Sequence, residues 1–156
     1  VYKPEFMKEA IKLSRENIYK GIGGPFGAVI VKNGKIISKG TNCVTSQNDP
    51  TAHAEVQAIR EACKKLQTFQ IKGCEIYTSC EPCPMCLSAI YWAGIEKIYY
   101  ANTRSDAAAI EFSDDFIYNE ISMNIDDRSI PMEQHLRSEA LKVFSEWEDF
   151  PDKIKY

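Results

Sequence analysis

The stretch TSCEPCPMC, Thr78 to Cys86, places three cysteines at intervals of three, with a proline on each side of the middle one. Sulfurs so closely spaced can hold an iron–sulfur cluster, exchange electrons as a dithiol, close a disulfide or bind zinc as thiolates. Cys-x2-Cys-x2-Cys matches the opening of a bacterial ferredoxin run, but that run needs another cysteine shortly downstream. Here Cys86 is the last cysteine of the chain. A Cys-x-x-Cys at a helix start after a strand also suits redox exchange, and spacing alone leaves that reading open.

A second place in the chain favours zinc. TAHAE, Thr51 to Glu55, supplies His53, one of only two histidines, thirty residues before Cys83. Zinc favours tetrahedral N/S coordination, and a catalytic site keeps three protein ligands with water in the fourth position. His53, Cys83 and Cys86 meet that count. Cysteines at i and i+3 in a helix's first turn lie on one side of it. The positive end of the helix favours their thiolate form, and Pro84 fits the first helical position, where its missing N–H costs nothing. Glu55, one residue beyond Ala54, is close enough to reach a water on the metal. Either motif alone is weak. Together, in this order, they match the H-x-E…P-C-x-x-C signature of zinc-dependent nucleobase deaminases.

The elements that must position these groups follow from periodicity. Apolar residues at helical spacing (Phe6, Met7, Ala10, Ile11, Leu13, Ile18) mark a helix over 4–20, closed by Gly21. FGAVIVK and KIISKG flank Asn33-Gly34, the signature of a two-residue hairpin turn. AHAEVQAIREACKKL (52–66) returns to helical period, followed by a strand CEIYTS, a helix PMCLSAIYWAG and a strand EKIYYA. TRSDAAAIEFSDDFIYNEI reads as a loop leading into a short helix, SMNIDDRSIP as loop, and HLRSEALKVFSEWEDF (135–150) as a last helix before the tail PDKIKY. The order α-β-β-α-β-α-β predicts an α/β sheet covered by helices on both faces, with a hairpin at one edge and parallel strands after it. With no repeat and no low-complexity linker, residues 1–156 are expected to form a single domain.

Composition narrows the function classes. With 156 residues, 44% hydrophobic and 26% charged, the chain fits an ordinary soluble globular protein. Its apolar runs fall short of a membrane span, and VYKPEFMKEAIKL lacks the apolar block of a secretory signal. The formal net charge of −3, with Lys and Arg scattered among acids, argues against a nucleic-acid partner. Six cysteines without a signal segment point to a reducing, cytoplasmic compartment and to metal or catalytic use rather than disulfides.

HAE and PCPMC on this element order resemble the cytidine deaminase superfamily, and the bacterial guanine deaminases within it. GIGGPFGAVIV, NDPTAHAEVQAIR, YTSCEPCPMCLSAIYWA, and the later SDDFIYNEI with a chain ending in Tyr156 carry the likeness. The first three would also suit tRNA adenosine deaminases and some cytosine deaminases; the segment from Asp106 to Ile121 favours the guanine enzymes. The resemblance implies a three-layer α/β/α fold around a mixed sheet, and hydrolysis of guanine to xanthine and ammonia. It implies a homodimer in which the C-terminal segment, about 135–156, is exchanged between subunits. His53, Cys83 and Cys86 would bind zinc, with Glu55 as proton shuttle and Asp114 as a second acid near the leaving amine. Phe26, Asn42, Ala54 and Tyr156 would contact the base, Phe26 by packing, Asn42 by hydrogen bonding and Tyr156 from the neighbouring subunit.

Residue type alone offers plainer roles. Phe26 could be a strand core residue, Asn42 a turn residue, Asp114 or Asp115 a helix cap, and Tyr156 a frayed end. Cys43, Cys63, Cys74 and Cys80 are expected to behave as small apolar side chains. Trp92 and Trp147 are expected to anchor packing, Trp147 at the subunit contact as one option, and His135 to sit on the surface. Rival functions are deamination of tRNA adenosine, cytosine or a nucleoside, a non-catalytic zinc module, and a redox protein. An acid beside an open metal position has no purpose in a structural zinc site. A redox protein requires a Cys83–Cys86 disulfide and no zinc.

Overall fold

The computed structural model describes residues 1–156, which divide into two compact units, Val1–Asp115 and Phe116–Tyr156. The first is built on four strands in the order β2-β1-β3-β4. β1 (Gly27–Lys32) and β2 (Lys35–Thr41) form the expected hairpin at one edge. Asn33 and Gly34 take φ values of 50° and 71°, the conformation such a turn requires and the reason Asn-Gly marks it. β3 (Cys74–Cys80) pairs antiparallel with β1, and β4 (Lys97–Asn102) runs parallel to β3. The sheet is therefore mixed, with β3 between β1 and β4.

Each face is covered by helices. α1 (Pro4–Tyr19) buries Phe6 and Met7 against Val29, Val31 and Tyr77. On the other face α3 (Ala54–Leu66) and α4 (Pro84–Trp92) pack on Ala28, Ile30, Cys74 and Ile76. α3 presents the small residues Ala54, Ala58 and Ala62 to the sheet, which lets it lie close. A Cβ on Gly40 of β2 would fall 2.1 Å from the Ala54 carbonyl oxygen, so glycine there is a packing requirement.

The short helix α2 (Val44–Gln47), closed by Asn48 at φ 49°, and α5 (Arg104–Ala109) add to the sequence reading. α5 falls where a loop was expected. Its start is fixed by a reciprocal cap in which the Thr103 side chain accepts from the Asp106 N–H and Asp106 accepts from the Thr103 N–H. α6 (Asp115–Ser122) is the short helix expected after it.

The second unit carries the rest of α6, a single 3-10 turn at Ile125–Asp127 and α7 (Arg137–Asp149). Arg128 Nε donates to the Glu120 carbonyl at 3.1 Å, and the Ser129 N–H to the Glu120 carboxylate at 2.9 Å, joining α6 to the following loop. α7 leaves Leu141, Val143, Phe144 and Trp147 exposed. The tryptophans expected to anchor packing are exposed in the single chain: Trp92 is 66% exposed and Trp147 46%. Trp92 ends α4, past Ile90, the residue that reaches the core, while Trp147 stacks on Phe150 on the outside of its own unit. No helix is long and apolar enough to cross a membrane.

Candidate metal and catalytic site

Two helix starts build the site. His53 is the N-cap residue of α3, extended at φ −71° and ψ 157°, and Cys83 is the N-cap of α4 at φ −67° and ψ 169°. Pro84 follows as the first residue of α4 and Cys86 lies in its first turn, as the spacing predicts. The loop before His53 is tied down by Asp49, which accepts from the Thr51 N–H at 2.8 Å and the Thr51 hydroxyl at 2.6 Å. The Cys43 N–H donates to the Ala52 carbonyl at 2.9 Å. The cysteine loop is anchored by Glu81, whose N–H donates to Asn102 at 2.8 Å and whose carboxylate accepts from the Arg104 N–H at 2.9 Å.

His53 Nδ1 lies 3.5 Å from both Cys83 Sγ and Cys86 Sγ, and the three donor atoms are within 4.8 Å of one another. A tetrahedral zinc with Zn–S near 2.3 Å and Zn–N near 2.05 Å sets N and S about 3.5 Å apart, so the donor set fits the ion. Protonation points the same way. The Cys83 thiol is lowered to about 4 by a hydrogen bond from Cys86 and by His53, against an opposing effect of burial. The second proton is held on Cys86 by its sharing with Cys83 and by burial. Two sulfurs and one imidazole thus hold a single negative charge readily, and a dication is what would release the second proton. All six cysteines are free thiols in the structure, and Cys80 stands outside the group, its Sγ 3.7 Å from the Thr103 carbonyl oxygen.

Glu55 opens α3 beside these three donors and is only 6% exposed. Burial raises its carboxyl above the usual range, and the charge on Cys83 adds to the effect. Thr78 Oγ1, on β3, donates to Glu55 Oε1 at 3.0 Å. Asp114, immediately before α6, also has its carboxyl raised, first by burial; Arg104 at 3.9 Å opposes this and the charge on Cys83 adds to it.

Asn42 is buried, and its side-chain oxygen accepts from the N–H groups of Gly24 at 3.3 Å and Val44 at 3.2 Å. With the oxygen so engaged, the amide is oriented and its NH2 is what it can offer a ligand. Phe26 precedes β1, accepts the Asn42 N–H through its carbonyl at 3.2 Å, and meets Phe112 edge to face at 5.1 Å. Ala54 is fully buried in the first turn of α3. Tyr156 belongs to the second unit and is exposed.

The family model for the cytidine and deoxycytidylate deaminase zinc-binding region matches residues 2–102, which include all three donors and Glu55. The chain belongs to this deaminase family. Zinc is therefore its metal, and the His53, Cys83 and Cys86 group is compatible with the site. Among related deaminases, a guanine deaminase of Bacillus subtilis is 54% identical over 97% of each chain. The crystal structure of guanine deaminase from Bacillus subtilis superposes with a TM-score of 0.97 at 52% identity, covering 100% of this chain and 99% of that one. A tRNA-specific adenosine deaminase of Aquifex aeolicus is 46% identical over 64% of this chain and 65% of its own. The three-layer α/β/α deaminase fold that the resemblance implied is the fold observed.

Two residues that shape the site were not singled out by sequence. Asn17, 1% exposed in α1, donates from Nδ2 to the carbonyls of both Gly24 and Asn42 at 2.8 Å, tying the segment before β1, which carries Phe26, to the segment after β2, which carries Asn42. Thr78 holds Glu55. The available signal was a polar residue on an otherwise apolar face: Asn17 continues the stripe Phe6, Ala10, Leu13, and Thr78 continues Cys74, Ile76 on β3.

Proposed function

We propose that this deaminase hydrolyses guanine to xanthine and ammonia. The observation that carries the reading is a buried carboxylate, Glu55, hydrogen-bonded in place beside a three-donor His/Cys/Cys group. The likeness to the Bacillus subtilis guanine deaminase spans 97% of the chain, past the zinc-binding region and through the C-terminal unit, and this favours guanine over a tRNA base. The net charge of −3 supports the same choice.

His53, Cys83 and Cys86 would hold zinc, which when bound lowers the pKa of a coordinated water from 15.7 to about 7. Glu55 accepts a proton from the attacking water and delivers it to N3 of guanine, making C2 electrophilic. The water oxygen adds to C2, and the exocyclic amine leaves as ammonia after protonation. Asp114, its carboxyl raised by burial against the opposing Arg104, assists that last transfer. Phe26 packs on the ring, Asn42 donates its NH2 to the base, Ala54 supplies a first-turn N–H that has no intrahelical acceptor, and Tyr156 closes the pocket.

The domain is read as one functional deaminase over 1–156, acting as a homodimer with segment 135–156 exchanged. The apolar residues exposed on α7, together with Tyr91, Trp92 and Tyr100 of the first unit, support coverage by a second copy. Free thiols support a cytoplasmic setting. The deciding experiment is an ammonia-release assay on free bases, nucleosides and tRNA, with guanine expected to be the best substrate. Release from tRNA but not from guanine would discard the reading. The role of Asp114 fails separately if Asp114→Ala retains wild-type turnover.

A further inference from the structure

We propose that Thr78 is a positioning residue for Glu55, fixing one carboxylate oxygen so that the other is presented to the reacting water and ring nitrogen. The inference rests on Glu55 as the proton shuttle. Thr78 lies on β3, between β1 and β4, where its backbone is paired with Ala28 on one side and Tyr100 on the other. It cannot move without displacing the middle of the sheet. Glu55 is the opposite kind of group, a long flexible side chain on the first turn of a helix. Their contact is a buried hydrogen bond, Thr78 Oγ1 to Glu55 Oε1 at 3.0 Å, with Thr78 only 1% exposed.

Packing does not explain the residue type. The neighbouring positions on this face of β3, Cys74 and Ile76, contribute to the apolar core beneath α3 and α4. Valine has the shape and β-branching of threonine and would fill the same space without burying a hydroxyl that needs a partner. What threonine adds is one O–H donor, aimed at the carboxylate. The hydroxyl donates to Oε1 whether or not Oε2 carries the transferred proton, so Glu55 can accept and release a proton without losing its orientation. A shuttle that must face first a water and then a ring atom depends on such a fixed pivot.

The test compares Thr78→Val with Thr78→Ser in the zinc-loaded protein. Thr78→Val is expected to keep its zinc and its KM for guanine while kcat falls by about 10–100-fold, the usual effect of losing a partner that orients an active-site group. Thr78→Ser, which keeps the hydroxyl, is expected to recover most of the rate. Crystal structures give a readout independent of any substrate: the Glu55 carboxylate should shift or divide between conformers in Thr78→Val and stay single in Thr78→Ser. Wild-type kcat in Thr78→Val, equal damage in both variants, or an unmoved Glu55 would each overturn the proposal. Should the valine variant fail to fold, Thr78→Ala takes its place against the serine variant.

Discussion

Burial raises the carboxyl of Glu55, and this shift has a measurable consequence for stability. A carboxyl whose folded pKa is raised contributes stability below its unfolded pKa and loses that contribution as pH rises through the folded value. Above its unfolded pKa the raised carboxyl therefore weakens the metal-free protein relative to a neutral side chain of the same shape. Glu55→Gln should abolish ammonia release yet stabilise the metal-free protein by about 0.5–2 kcal/mol at pH 7. The gap should widen as pH rises from about 4.3, where a free glutamate ionises. Thermal unfolding across pH checks it, and a gap that shrinks with rising pH would contradict the account. The cysteines divide just as sharply. Cys83→Ser or Cys86→Ser should cost the protein its zinc. Cys80→Ser should keep it, since Cys80 is raised to about 11 by burial and stays a thiol, with its sulfur directed at Thr103. Zinc content of the three purified variants separates these outcomes.

At the scale of elements, two glycines set the spacing between site-bearing segments, and substitution should harm each in a different way. A methyl at Gly40 meets the Ala54 carbonyl at 2.1 Å and the Ala58 nitrogen at 2.5 Å, both backbone atoms of α3. Gly40→Ala should therefore push α3 off the sheet and destabilise by about 1–3 kcal/mol, read by denaturant unfolding. A methyl at Gly23 meets the Asn42 carbonyl at 2.2 Å and its side-chain oxygen at 2.7 Å. Gly23→Ala should displace Asn42, the group proposed to contact the base, and raise KM for guanine more than it lowers stability. Much of this framework was legible in the sequence because its signals are local. Asn33-Gly34 marks the hairpin, His53 and Cys83 precede helical runs, and the i, i+3 cysteines share a helix start. Thr78 and Asn17 were not legible as partners of Glu55 and Asn42, because their hydrogen bonds join residues 23 and 25 positions apart. A polar residue on an apolar stripe tells that a partner exists and not which one.

The whole molecule raises the question of what covers its apolar surface. α7 exposes Leu141, Val143, Phe144 and Trp147, and the tail beyond it ends in Tyr156, itself 78% exposed. Single exposed apolar residues are ordinary, but four on one 13-residue helix mark a contact surface. If that surface joins two copies and the tail of each completes the other's site, then Glu55 and Tyr156 of one working site come from different chains. Complementation tests this directly. A Glu55→Gln chain keeps its tail but lacks the proposed proton shuttle, and a chain lacking Pro151–Tyr156 keeps Glu55 but lacks the tail proposed to close the site. Each alone should release little ammonia. After the two are mixed, unfolded and refolded together, half the dimers are mixed, and each mixed dimer holds one site with an intact Glu55 and a donated tail. About a quarter of wild-type activity should return, from random pairing in a two-fold dimer. A tail that served its own chain would give no recovery at all, because no chain in the mixture carries both Glu55 and Tyr156.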